Sequence, residues 1–270
     1  GFSYKTFSIG LRGSYLFGNL ENRRTVSFPD LETFFFNHFE DDINLKGILW
    51  RIGMQYDWVL ERREPVIEDE LGKPQKLVTI GGYLRPESSY NTQTTKLYER
   101  RYNAFTISDT LLYEDELEQS GQMPLRYGFG IRYENVDKWS FGFDWRSTEW
   151  SAYSNEAKPD ELYDTYRIAG GLSYIPDINS ISGILKRTEY RFGFEYGTDP
   201  RKYQEDQGRY FTISAGIGMP FVFNRQTSYI NLGFYYGKDG VPDKIDRSQF
   251  GINIGFTLTD NSWFVKRKYR

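Results

Sequence analysis

The feature that most constrains this chain is a two-residue alternation of apolar and polar side chains that recurs from one end to the other. Within residues 5–17, Phe7, Ile9, Leu11, Tyr15 and Phe17 fall on one face, and Thr6, Ser8, Gly10, Arg12 and Ser14 on the other. Period two marks a strand with two unlike faces, whereas a helix would need a period of about 3.6. The pattern returns in 48–58, 125–134, 139–147, 166–174, 190–196, 211–219, 229–237 and 250–258, and less cleanly in 77–85. About ten strands result. No helical pattern of useful length and no low-complexity linker interrupts them. The expectation is therefore one all-β unit over residues 1–260, followed by a short basic periplasmic tail at 261–270.

Connection lengths alternate as well. Short links are expected at 134–138 and 219–228, moderate ones at 59–75 and 176–186, and polar loops at 28–42, 91–123, 152–163, 198–208 and 238–247. Short turns on one rim and long loops on the other are the habit of outer-membrane barrels. The longest loop carries an extended piece at 104–114, read as an extension of the strand that follows it.

Composition narrows the choice. No run of about 18 apolar residues exists, so no membrane-spanning helix is encoded. The net charge of −3 gives no case for a nucleic-acid partner. With no cysteine, disulfides, thiolate catalysis and zinc–thiolate sites are excluded. The first residue is Gly1 and no signal-peptide core follows, so a processed or incomplete chain is expected. Aromatic residues reach 18% and outnumber Leu, Ile and Val combined.

That aromatic excess bears on which face is outside. A soluble sandwich also alternates, and alternation alone does not exclude it. The apolar runs here, however, are bounded by rings: Tyr127 and Tyr133, Trp139 and Trp145, Tyr166 and Tyr174, with Trp263 at the end of the chain. Tyr and Trp suit a membrane–water interface, where the ring meets acyl chain and the polar tip stays hydrated. The opposite face is rich in glycine and in charges of both signs, which fits a confined wet lumen. A transmembrane antiparallel up-and-down β-barrel is the expected fold, since closure leaves no unpaired edge in lipid.

In order and spacing, the segments SIGLRGSYLFG (8–18), MPLRYGFGIRYENVDKWSFGFDWRSTEWS (123–151), YRFGFEYG (190–197) and FGINIGFTLTDNSWFVKRK (250–268) resemble the C-terminal part of the FadL/TodX-type outer-membrane transport family. The resemblance implies a fourteen-stranded barrel, plugged by an N-terminal hatch, in the outer membrane of a Gram-negative bacterium. It implies passive uptake of long-chain fatty acids or other hydrophobic compounds, with no enzymatic step and no cofactor. The expected partners are outer-membrane lipid, a hydrophobic small-molecule ligand and other outer-membrane proteins. Set against fourteen, ten strands would leave about four missing, together with the hatch. The alternative is a non-catalytic barrel subunit of a larger outer-membrane assembly or secretion complex, in which long loops or the tail bind partners.

Candidate sites follow from the inward parity. Arg12, Arg51, Arg126, Arg132, Arg146, Arg167 and Arg191 share it with Asp57, Glu134, Asp144, Glu189 and Glu195. The plain reading is a cross-strand salt-bridge lattice filling the lumen. The functional reading makes Arg51, Arg126, Arg132, Arg146, Arg167 and Arg191 ligand-binding, with guanidinium forks accepting the carboxylate of a fatty acid. The single histidine, His38, lies beside Glu40, Asp41 and Asp42. An omptin-like hydrolase could use such a group, but an exposed loop histidine is the simpler expectation. The three adjacent acids lack calcium-site spacing, and no metal site is expected. In the tail, Lys266, Arg267, Lys268 and Arg270 would meet anionic headgroups or a periplasmic partner.

Overall fold

Each strand with alternating faces still carries unpaired backbone donors and acceptors on both edges, and these dictate how far pairing must extend. The computed structural model describes residues 1–27, 36–64, 72–102, 107–181, 183–223 and 226–259. They form a 14-stranded antiparallel sheet. Its strands are β1 (Phe2–Tyr4), β2 (Phe7–Ser27), β3 (Phe36–Arg62), β4 (Pro74–Arg85), β5 (Ser88–Arg101), β6 (Ile107–Met123) and β7 (Arg126–Asn135). They continue with β8 (Trp139–Thr148), β9 (Ser154–Asn155), β10 (Thr165–Tyr174), β11 (Glu189–Tyr203), β12 (Asp206–Phe223), β13 (Gln226–Val241) and β14 (Ile245–Thr257). The only helices among the described residues are a 3₁₀ turn at Trp150–Ala152 and one α turn at Ile184–Arg187.

Ten of these strands coincide with the ten alternating segments. They run β2, β3, β4, β7, β8, β10, β11, β12, β13, β14, each paired with the next, and form a meandering wall. Register is continuous through most of it; β8 and β10, for example, pair without a break from Thr165↔Thr148 to Tyr174↔Trp139. Among the described residues the wall does not close. β14 pairs only with β13, and the far edge of β2 pairs only with the short β1.

Of the expected loop at 91–123, residues 91–101 and 107–123 are strand. β5 and β6 pair with each other over most of their length, and β5 continues along β3, pairing its Phe36–Gly47 half where β4 pairs the Ile52–Arg62 half. The β4–β7 hairpin is thus prolonged as β5–β6; of the extended piece at 104–114 the described residues, 107–114, belong to β6, a strand of its own separated from β7 at Pro124. The break between the two levels falls at Pro86 and Pro124, which have no N–H to give a ladder. Above it, β2, β3, β5 and β6 form a second, projecting sheet. The expected loops at 198–208 and 238–247 are likewise strand, with tight turns at Gln204 and Asp243 in the left-handed region. Polar composition suggested loops here; long two-stranded ribbons standing clear of the wall have no apolar face to reveal them.

The core is small. Among the described residues the buried hydrophobic side chains are Ile43, Tyr90 and Val241. Tyr90 is the pin of the projecting sheet. Its neighbours in register are glycines on both sides, Gly47 on β3 and Gly121 on β6. A Cβ at Gly121 would overlap the Tyr90 ring. The ring hydroxyl donates to the Tyr153 hydroxyl (3.3 Å) and the Ser154 carbonyl (3.2 Å), tying the hairpin to β9. A Gly121→Ala substitution is expected to displace that ring and to cost about 2 kcal/mol in the projecting sheet. Limited proteolysis should then cut β5–β6 faster while the wall fragment stays resistant.

Candidate functional site

The wall presents two faces of opposite chemistry. On the apolar one, Trp139, Tyr174 and Tyr190 lie in register, and Tyr133 packs on Trp139 with centroids 4.7 Å apart. A second row runs through Tyr127, Trp145, Tyr166 and Tyr196, with contacts of 5.5 Å (Tyr127–Trp145) and 5.9 Å (Tyr166–Tyr196). Between the rows, Phe129, Ile131, Phe141, Leu172, Phe192 and Phe194 are exposed. The predicted interface residues Tyr127, Tyr133, Trp139, Trp145, Tyr166 and Tyr174 are therefore brought together in two lines. Trp263 and the basic tail 261–270 lie outside the described residues.

The polar face lines a concavity of about 900 Å³ that includes Arg132, Arg146, Arg167, Asp144 and Tyr83. The predicted arginines divide there into two sets. Arg132 pairs with Glu134 at 2.9 Å, Arg191 pairs with Glu189, and Arg167 pairs bidentately with Glu195, its Nε donating over 2.6 Å. These are the cross-strand and along-strand ion pairs of the lattice reading. Among the described residues, Arg51 and Arg126 form no ion pair with a carboxylate; Arg146 forms none directly but stands opposite Arg167, within electrostatic reach of Glu195.

Register explains the second set. Arg12 lies opposite Arg51 on β2 and β3, and Arg85 lies opposite Arg126 on β4 and β7. Arg51 and Arg85 each lie one residue past Ile52↔Leu84, where the β3–β4 ladder ends, and are close enough for their charges to interact. Four neighbouring strands thus carry arginine at one level, with Arg146 two residues below it on β8, since Arg126 is opposite Thr148. Neutral groups hold the guanidiniums: Arg51 stacks over the Tyr83 ring at 5.0 Å, and Arg85 Nη2 donates to the Pro124 carbonyl at 3.3 Å. Arg126 Nε donates to Thr148 Oγ1 at 3.0 Å and faces the Trp150 ring at 6.0 Å. Arg85 is missing from the predicted ligand set. It closes the least regular of the alternating segments, and only the pairing partner of β4 reveals its level.

The projecting sheet supplies the other charged surface. His38 is not on an exposed loop: it sits half-buried on β3, with Nδ1 3.2 Å from Thr25 Oγ1 and Nε2 3.6 Å from Glu40. Arg23 donates twice to Glu40 Oε1 at 3.0 Å, and this holds the Glu40 carboxyl below its ordinary range. No group of three His, Cys, Asp or Glu side chains that could hold a metal ion occurs among the described residues. β6 bears Asp109, Glu114, Asp115, Glu116 and Glu118 with no lysine or arginine. On its side away from β5, β9 pairs only Gly121 and Gln122, and Glu156 bonds Ser120. From Ile107 to Gln119 that edge is unpaired among the described residues.

Fold and surfaces together define a class: an all-β protein built on a long antiparallel meander, with an exposed apolar face, a charged opposite face and a polar extension at one end. Over residues 1–270 the chain matches the family described as BamG, and it belongs to that family. Membership associates it with the outer membrane of Gram-negative bacteria and points to a component of an outer-membrane assembly. No curated protein matches the chain. The expected FadL/TodX membership is overturned by this match, and with it falls the support for a fatty-acid uptake channel. The segments that carried that resemblance are mostly strand pattern, which unrelated barrels share.

The paired set is separable from the unpaired one by mutation. Glu195→Gln should leave Arg167 uncompensated on the polar face and destabilise the wall by about 1–3 kcal/mol. The swapped pair Arg167→Glu with Glu195→Arg should recover most of that loss, read as the midpoint of heat-induced unfolding in detergent.

Proposed function

We propose that the chain is a non-catalytic barrel subunit of a larger outer-membrane assembly, in which the wall is the membrane scaffold and the projecting sheet holds a partner. The observation that carries this reading is the free edge of β6. An exposed strand edge offers a row of unpaired backbone groups, and proteins normally block such edges or use them for pairing. Here the edge is flanked by exposed Leu111, Tyr113 and Leu117 and by acids, with none of the lysines that usually protect an edge. An extended, basic segment of another subunit fits it in hydrogen bonding and in charge.

The scaffold half of the reading rests on the apolar face. The two aromatic rows are six to eight residues apart, roughly 20–26 Å along a strand at 3.3 Å per residue, so they bound an apolar band of the order of, and with tilt somewhat shorter than, the roughly 25 Å band of outer-membrane barrels. Large exposed apolar patches of this kind mark contact with membrane or protein. In lipid the free edges of β2 and β14 must find partners, either each other or strands from elsewhere.

The test is recovery of the intact assembly from detergent extracts. Tyr113→Lys combined with Leu117→Lys is expected to reduce the co-purified subunits by about tenfold, a loss of about 1.4 kcal/mol, while heat-modifiable migration of the barrel is unchanged. Unchanged recovery would remove β6 as the docking edge. A wild-type chain that extracts only as a monomer would overturn the subunit reading itself.

A further inference from the structure

The arginine level at the junction of wall and projecting sheet has no structural explanation in the contacts around it. Arg12 stands directly opposite Arg51 and Arg85 directly opposite Arg126, with Arg51 and Arg85 each one residue past the last β3–β4 pair, so four adjacent strands carry arginine at one level, and strand neighbours are about 4.8 Å apart. Like charges in that relation destabilise a sheet. Elsewhere on the same face Arg132, Arg167 and Arg191 each have a glutamate, so the chain is able to supply counter-charge where charge is only structural. Among the described residues it supplies none here. Arg85 Nε is also out of contact with solvent and has no hydrogen-bond partner. A buried donor on a charged group is costly unless something accepts from it.

We propose that this level is a binding site for a phosphate group. A guanidinium offers five donors in a plane, and most of those on Arg51, Arg85 and Arg126 are unmet. A carboxylate has only two oxygens and one charge to share among three such neighbours. A phosphate presents three or four oxygens and up to two charges, enough to bridge the adjacent guanidiniums of Arg51, Arg85 and Arg126. Arg51 over Tyr83 and Arg126 against Thr148 are pre-aligned by neutral contacts, so binding orders little that is not already ordered. The row begins with Arg12 on β2, the outermost long strand of the described sheet. A phosphate can therefore arrive as a small soluble anion in the concavity or as a lipid headgroup from the side.

The full chain in neutral detergent decides this by thermal unfolding at fixed ionic strength. Inorganic pyrophosphate, or phosphatidic acid in mixed micelles, is expected to raise the wild-type midpoint by about 5 °C at saturation, and sodium chloride or phosphatidylcholine is not. A shift with both probes shows that the phosphate itself is recognised; a shift with pyrophosphate alone assigns a soluble ligand, and one with phosphatidic acid alone assigns a lipid. Arg85→Gln and, independently, Arg51→Gln should each reduce the shift at least threefold. Arg191→Gln, which removes a paired arginine, should retain it. No shift with either probe would overturn the proposal, as would a full shift in whichever of the Arg85→Gln and Arg51→Gln variants folds. This outcome is independent of whether partners dock on β6.

Discussion

Backbone pairing between neighbouring strands is the constraint on which everything else in this molecule depends. With so few buried hydrophobic side chains, the described chain has almost no conventional core to fix its geometry. What fixes it is the ladder of N–H to carbonyl bonds, because each paired strand has its residues placed at defined levels on defined faces. A slip of one residue would send the arginines to the apolar side and the rings to the polar one. The aromatic rows, the ion-paired arginines and the unpaired arginine level are all products of the same register.

Two kinds of charge coexist on the polar face, and pairing separates them. Arg167 and Glu195 pair diagonally across β10 and β11, Arg167 being opposite Gly197 and Glu195 opposite Ala169, so the pair flanks Tyr196 and lies directly behind the aromatic row. The unpaired arginines lie beyond it toward Pro86 and Pro124: Arg126 is level with Thr148 and Thr165, two residues from Arg167, at the extreme end of the short strands. That division gives the polar face a neutralised middle and a cationic margin. A lumen filled only by a salt-bridge lattice would not show such a margin.

Much of the wall was legible because period two is strong where both faces are used. All ten wall strands announce themselves in the alternation, as do most of the residues that form the aromatic rows. The projecting sheet was not legible: β5 is largely polar and β6 mixes Leu111, Tyr113 and Leu117 with five acids, so composition reads most of them as loop even though backbone pairing makes them strand. Three of the four arginines at the unpaired level, Arg12, Arg51 and Arg126, could be placed on the polar face by parity. Its completion by Arg85 could not, since parity gives a face while only the pairing of β4 with β3 and β7 gives a height. Family was the least legible of all, because strand pattern repeats across barrels of different ancestry and the resemblance to fatty-acid transporters rested on that pattern alone.

The interruption at Pro86 and Pro124 has a mechanical meaning. β4 and β7 stop where β5 and β6 begin, so neither carries an unbroken ladder from the wall into the extension. Only β2 and β3, paired continuously from Phe7↔Tyr56 to Ser27↔Phe36, run through both levels. The extension is thus held like a flag on a two-stranded staff, pinned at its base by Tyr90. Force applied to its free edge would be borne by one ribbon and one ring, leaving eight strands of the wall outside the direct load path.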